Sequence, residues 1–182
     1  MKALPLKEFK PTILFLVKFI GIYLVANLLY GLYVTAYSPG PDPITSLASR
    51  QTAVALGICG WPSTTQDNEK KPTTLLIHEG RSVLAIYEGC NGINIMIIFV
   101  AFLFAFGPTG KPLWIFALAG ILIIHLMNLL RISLLFWVVL YLPNFVYFVH
   151  KYLFTAILFV FVFVLWIVWV RKFSNLKEVP SQ

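Results

Sequence analysis

An all-α integral membrane protein, with about four transmembrane helices and a small external helix plus β-hairpin, is the fold class this 182-residue sequence predicts. Three observations predict it. Hydrophobic residues make up 59% of the chain against 12% charged, more apolar surface than a soluble chain of this length can cover. Four apolar runs approach or exceed the roughly 20 residues that cross a bilayer. The net charge of +7 gathers at the ends of those runs: Lys2, Lys7 and Lys10 before the first, Lys111 between the second and third, and Arg171, Lys172 and Lys177 after the last. That is the pattern the positive-inside rule expects of cytoplasmic ends. The charge is therefore a topology signal. With no basic helix carrying interleaved aromatics and no phosphate-cradling glycine loop, nucleic-acid and nucleotide partners are not expected, nor is a cofactor or a metal.

Residues 1–11 read as a cytoplasmic N-terminus and 12–37 as the first transmembrane helix, whose Lys18 can snorkel to the inner surface. The apolar run is longer than a signal peptide's, and Val34-Thr35-Ala36 is only a faint cleavage site, so an uncleaved anchor is expected. Pro39-Gly40-Pro41-Asp42-Pro43 breaks the helix and opens an external region over 38–89. Within it, Ile44, Leu47, Ala48, Val54, Ala55 and Ile58 recur at partly helical spacing, suggesting a short helix near the outer surface. Trp61-Pro62 and the polar residues 63–71 read as a loop. Residues 73–77 and 82–87 are β-prone, with His78-Glu79-Gly80-Arg81 as the hairpin turn. His78 and Glu79 are placed to act at a site, although turn residues are more often merely solvated.

Residues 90–171 read as the membrane core, with transmembrane helices 2–4, and 172–182 as a cytoplasmic tail. The second span, 93–106, is short. The chain turns at Gly107-Pro108-Thr109-Gly110-Lys111-Pro112 and returns through 113–130, about 27 Å of helix, to the outer leaflet at Arg131. Pro143-Asn144 makes the next turn, and 146–170 forms the last span, with His150 near its outer end. Three independent spans thus bring a thiol, a guanidinium and an imidazole to one membrane face.

Cys90 lies between Gly89 and Gly92, where a strand-like segment gives way to the second span. Near a helix N-terminus, unpaired N–H groups and the helix dipole make a thiol easier to ionise, and flanking glycines let a peptide backbone approach the sulfur. An imidazole can take the thiol proton and return it to a leaving amine, while a fixed guanidinium can stabilise an oxyanion. These are sufficient parts for a cysteine peptidase. A carboxylate would complete a triad, but Glu88, the acid nearest Cys90, reads as a solvated interfacial charge.

Glu88-Gly89-Cys90-Asn91-Gly92-Ile93 resembles the cysteine motif of the exosortase and archaeosortase family, and Asn128-Leu129-Leu130-Arg131 resembles its Asn-x-x-Arg motif. His150 sits where the family's downstream histidine is expected. The resemblance covers mainly residues 87–170, and the short length looks most like the exosortase F-type proteins of Bacteroidetes. It implies a multi-pass protein of the cell inner membrane, with cytoplasmic termini and a periplasmic active site. It also implies a transpeptidase that cleaves exported proteins carrying a C-terminal hydrophobic sorting signal, among membrane lipids and with room for an accessory membrane protein. By that analogy Cys90 is the nucleophile, His150 the general acid/base and Arg131 the oxyanion stabiliser, with Asn128, Gly89 and Gly92 in support. The family commonly has serine where this chain has Asn91, and often a glycine where it has Phe154. His125, deeper in the membrane, competes with His150; bonding to a neighbouring helix is its alternative.

Because the substrate would itself be membrane-anchored, a lateral cleft bounded by Cys90, Arg131 and His150 is expected, with the three no more than about 12 Å apart. A second reading stands beside this one: Cys59 and Cys90, both on the oxidising side, form a structural disulfide in a non-catalytic scaffold subunit. Redox-partner and transport roles rank below both, for want of a Cys-x-x-Cys pair or a polar pathway.

Overall fold

The computed structural model describes residues 6–107 and 110–174. Lys2, Lys177 and the Pro108-Thr109 centre of the expected turn lie outside them. The chain is mostly helical. Helix α1, Leu6–Thr35, runs unbroken for 30 residues. Most of its surface is exposed leucine, isoleucine and valine, as on a lipid-facing helix, while Phe15 meets Phe102 and Phe106 edge-on.

Asp42 starts α2, Pro43–Ile58, by accepting the Ile44 and Thr45 N–H groups at 3.0 Å each, with Pro43 in the first turn. The helix forms where expected, but its buried face is the polar one. Thr45, Ser46, Ser49 and Thr52 point inward with Ala48, Ala53 and Leu56, whereas Leu47, Val54 and Ile58 are exposed. Ser49 and Thr52 return their hydroxyls to the carbonyls four residues earlier, both at 2.8 Å, so burial leaves them bonded. Small side chains let this helix pack closely on its neighbours.

A three-stranded antiparallel sheet follows, in the order β1 (Ser63–Asp67), β2 (Thr73–His78), β3 (Arg81–Tyr87). The hairpin is as expected, and its Glu79-Gly80 tip has positive φ at both residues, +49° and +74°, the conformation a two-residue turn needs. Strand β1 corrects the reading of 63–71 as loop alone. It is a polar edge strand, Ser-Thr-Thr-Gln-Asp, with no buried residue, so it carries no apolar alternation and is held by its pairing with β2. Leu76 and Ile86 of the sheet bury against Ile132 and Phe136. His78, read as a turn residue with a candidate role, closes β2: its ring packs on Trp61 and Phe136, and its Nδ1 is 2.8 Å from the Pro62 carbonyl.

A 3-10 turn, Glu88–Cys90, joins the sheet to α3, Ile93–Phe106. Helix α4, Lys111–Tyr141, continues without a break for 31 residues, about 46 Å. That exceeds the roughly 30 Å hydrocarbon layer, and the part near Ile132 and Phe136 is the post on which the sheet rests. A 3-10 turn (Pro143–Phe145), one helical turn α5 (Val146–Phe148), a π-helical turn (Val149–Leu153) and α6 (Phe154–Ser174) complete the described chain. Phe99, Leu103, Leu113, Ile124, Val162 and Trp169 form the core between α3, α4 and α6.

Among the described residues, three segments are long and apolar enough to cross a membrane: Phe9–Thr35, Lys111–Tyr141 and Pro143–Lys172. Helix α3, also apolar, has 14 residues and is shorter than that. The chain is a multi-pass membrane protein.

Candidate active site

The loop carrying Cys90 is fixed from both sides. Cys90 ends the 3-10 turn with only 6% of its surface exposed. Asn91, 1% exposed, uses its whole amide: Oδ1 accepts the Ile93 N–H at 3.0 Å, and Nδ2 donates to the Tyr30 hydroxyl at 2.7 Å and to Thr45 Oγ1 at 3.0 Å. Thr45 in turn donates to the Asp42 carboxylate. One amide thus caps α3 and ties the cysteine loop to α1 and α2.

From α4, Asn128 reaches across and donates to the Cys90 carbonyl at 2.8 Å, fully buried. Gly92 lies between them with φ +87°, and a Cβ there would stand 3.1 Å from Asn128 Cγ. Backbone handedness and close approach both call for glycine. We expect Gly92→Ala to cost about 1–2 kcal/mol from the left-handed conformation alone. Its melting midpoint in detergent should fall by about 5 °C, and a midpoint equal to the parent's would contradict this account.

Arg131, one turn beyond Asn128, donates from Nη1 to Asn128 Oδ1 at 3.5 Å and from Nη2 to His150 Nδ1 at 3.4 Å. Both bonds are long and both acceptors neutral. Its Nε is buried and without a hydrogen-bond partner among the described residues. Because Arg131 can only donate, His150 Nδ1 is the acceptor, and a neutral His150 carries its proton on Nε2. His150 sits in the π-helical turn, whose wider winding changes the direction of the side chains that follow it.

Two cavities meet at these residues. The smaller, about 160 Å³, is lined by Leu84, Ile86, Cys90, Ile132, Leu135 and Val146. The larger, about 400 Å³, is lined by Gly89, Asn94, Ile95, Lys151, Thr155 and Leu158, among others. Tyr87, Arg131 and His150 belong to the walls of both. Residues predicted from three separate segments thus line one chamber, with Asn128 and Gly92 bracing it and Gly89 on the neighbouring wall. A membrane protein with its Cys, Arg and His residues in one chamber, and the Asn of the Asn-x-x-Arg motif bonded to the cysteine loop, invites comparison with known families. The family model for the transmembrane exosortase (Exosortase_EpsH) matches residues 9–170.

The chain belongs to the transmembrane exosortase family. No curated protein and no solved structure matches it. Membership points to a membrane enzyme of sorting-signal processing. Where exosortases commonly have serine after the cysteine, the longer Asn91 amide here reaches two hydroxyls on separate helices.

The surroundings of the thiol work against the expected ease of ionisation. Burial pushes the Cys90 thiol above its usual range; the Arg131 guanidinium and hydrogen bonds from Tyr87 pull it back only in part, and Glu88 adds to the rise. The reason is positional. The Asn91-Gly92 step separates Cys90 from the first turn of α3, while β3 and α4 exclude water from it. Tyr87, which no sequence signal singled out, is the residue beside the sulfur. A Cβ on Gly89 would lie 2.3 Å from Tyr87 Cε2, so the ring rests directly on that glycine.

The other candidates fall elsewhere. His125 Nε2 is 2.7 Å from Gln51 Oε1 on α2 and lines neither cavity. Glu79 occupies the tip of the hairpin. Cys59 is exposed at the end of α2 and borders a different cavity, between α2 and α4; both cysteines are free thiols, so the disulfide of the scaffold reading is not formed.

Proposed function

We propose that this exosortase is a membrane cysteine peptidase or transpeptidase that cleaves the C-terminal sorting signals of exported proteins through a thioester on Cys90. The observation that carries the reading is the Arg131 guanidinium. It is held between Asn128 and His150 on the wall of the Cys90 chamber, with its buried Nε still able to donate. A buried donor without a partner is costly and is matched when an oxyanion develops beside it.

In this mechanism the substrate carbonyl oxygen takes up Arg131 N–H groups, which draws the guanidinium off His150 Nδ1. That nitrogen then accepts the thiol proton. The Cys90 thiolate attacks the carbonyl carbon, the C–N bond breaks, and the imidazolium gives its proton to the departing amine. Water or an amine then resolves the thioester, giving a protease or a transpeptidase. The resting thiol is protonated, so proton transfer to His150 belongs to the step that follows substrate binding.

We further place the protein in the cell inner membrane as a short F-type exosortase, with α1, α3, α4 and 143–172 crossing, both termini cytoplasmic and the chamber on the periplasmic side. At about 21 Å, α3 is shorter than the hydrocarbon layer. The Cys90 loop then sits below the membrane surface, within reach of a substrate that is itself anchored by a helix.

Deleting the chain from its host and measuring intact masses of exported proteins tests the function. The expected result is a set of proteins that retain a C-terminal hydrophobic segment and regain their processed mass on complementation. Unchanged C-termini in the deletion strain would remove the proposal.

A further inference from the structure

Tyr87 closes β3, and its ring turns back over the next residue but one. An ideal Cβ on Gly89 would lie 2.3, 2.9 and 3.0 Å from Tyr87 Cε2, Cζ and Oη, so the space a side chain would fill at 89 is occupied by the phenol. The ring also borders both cavities, whereas the Cys90 sulfur's residue borders only the smaller. Anything lodged in the larger cavity meets Tyr87, Arg131 and His150 before it meets Cys90. Tyr87 and Cys90 share the wall of the smaller cavity, and the phenol is among the groups that act on the ionisation of the thiol. Although it lines the same small cavity as Cys90, Tyr87 remains 42% exposed, so the ring has room to turn outward.

We propose that Tyr87 is a positioning residue with two parts to its work: its hydroxyl donates a hydrogen bond to the Cys90 sulfur, and its ring separates the larger cavity from the thiol. Bulky groups in that cavity reach the sulfur, or a thioester on it, only when the ring moves aside. The small chamber then serves the acyl half of the reaction and the larger cavity the group that resolves the thioester. This division of labour rests on Cys90 acting as the nucleophile. The hydrogen bond and the screen do not, so they are tested by thiol reactivity alone.

The groups facing the sulfur are Tyr87 itself, Glu88 of the 3-10 turn, Arg131 of α4 and His150 of the π-helical turn. A hydrogen bond that favours the thiolate lowers the thiol pKa, and its loss moves the reactivity midpoint upward. The sign is therefore fixed: without the phenol hydroxyl, alkylation at a given pH below the midpoint slows.

The experiment uses the full chain in detergent with Cys59→Ser, so that Cys90 is the one thiol, and compares iodoacetamide with a fluorescein maleimide too large for the small chamber. Tyr87→Phe should slow iodoacetamide alkylation at about pH 8 by roughly threefold and leave the ratio between the two reagents unchanged. Tyr87→Ala should raise the maleimide rate, relative to iodoacetamide, by about tenfold or more. Gly89→Ala displaces the ring while keeping the phenol and should raise the same ratio; it carries the test of the screen if Tyr87→Ala does not fold. A Tyr87→Phe profile superimposed on the parent's overturns the hydrogen-bond role. A reagent ratio unmoved in every ring-displacing variant that folds overturns the screen.

Discussion

Cys90→Ala is expected to abolish cleavage of sorting signals, with a loss of at least about 10⁴-fold, because the proposed acyl intermediate is a thioester on that sulfur. Tyr87, Arg131 and His150 share the wall, and none of them carries a sulfur. The residue is small, and its replacement leaves the Asn128 bond to the residue 90 carbonyl in place, so the fold should survive. Cleavage is read as the mass of exported substrates in membranes that contain equal amounts of parent and variant. Residual turnover within tenfold of the parent would show that the thiol takes no covalent part. Cys90→Ser tests the same point more finely: the hydroxyl keeps the size but is far less acidic, so it should remain close to inactive.

Arg131→Leu carries the second-largest expected effect, a loss of about 10²–10³ in turnover, the usual consequence of removing one oxyanion donor. Arg131→Lys should recover little of it. Lysine brings a point charge but not the planar fork that lets one nitrogen face Asn128 and another His150 while Nε remains available. The variant to compare is Asn128→Ala, which removes the guanidinium's acceptor and the Cys90 carbonyl's donor together. If Arg131→Leu keeps more than a tenth of parental turnover in membranes with normal protein levels, the oxyanion role belongs to another group. Tyr87, whose phenol is also beside the sulfur, would be the first to consider.

How much of this was legible in the sequence depended on what kind of physics set each feature. Membrane spans are written in composition, and three apolar segments are long enough to cross, although α4 continues to Tyr141, past the expected return at Arg131. The hairpin was legible because Glu79-Gly80 between β-prone runs specifies a tight turn by local backbone preference. The Cys90, Arg131 and His150 set was read from the lengths of the apolar runs and the spacing of the motifs, and the three do line one chamber. Strand β1 was not, because a polar edge strand has no periodic signal and exists through its partner. The inward face of α2 was not either. Its apolar residues suggested one orientation, but the helix buries serine and threonine that satisfy their own hydroxyls.

What the sequence by itself determined, then, is what depends on composition and chain length: a multi-pass membrane protein with the thiol, guanidinium and imidazole in reach of one another. Only the tertiary structure decided the surroundings of the thiol. Whether a thiol is easy or hard to ionise is a contest between the water excluded from it and the charges left beside it, and here packing of β3 and α4 outweighs the Arg131 charge. Likewise, the ring of Tyr87 over Gly89 and the capping of the loop by Asn91 depend on side chains from distant segments meeting at distances that no local spacing encodes.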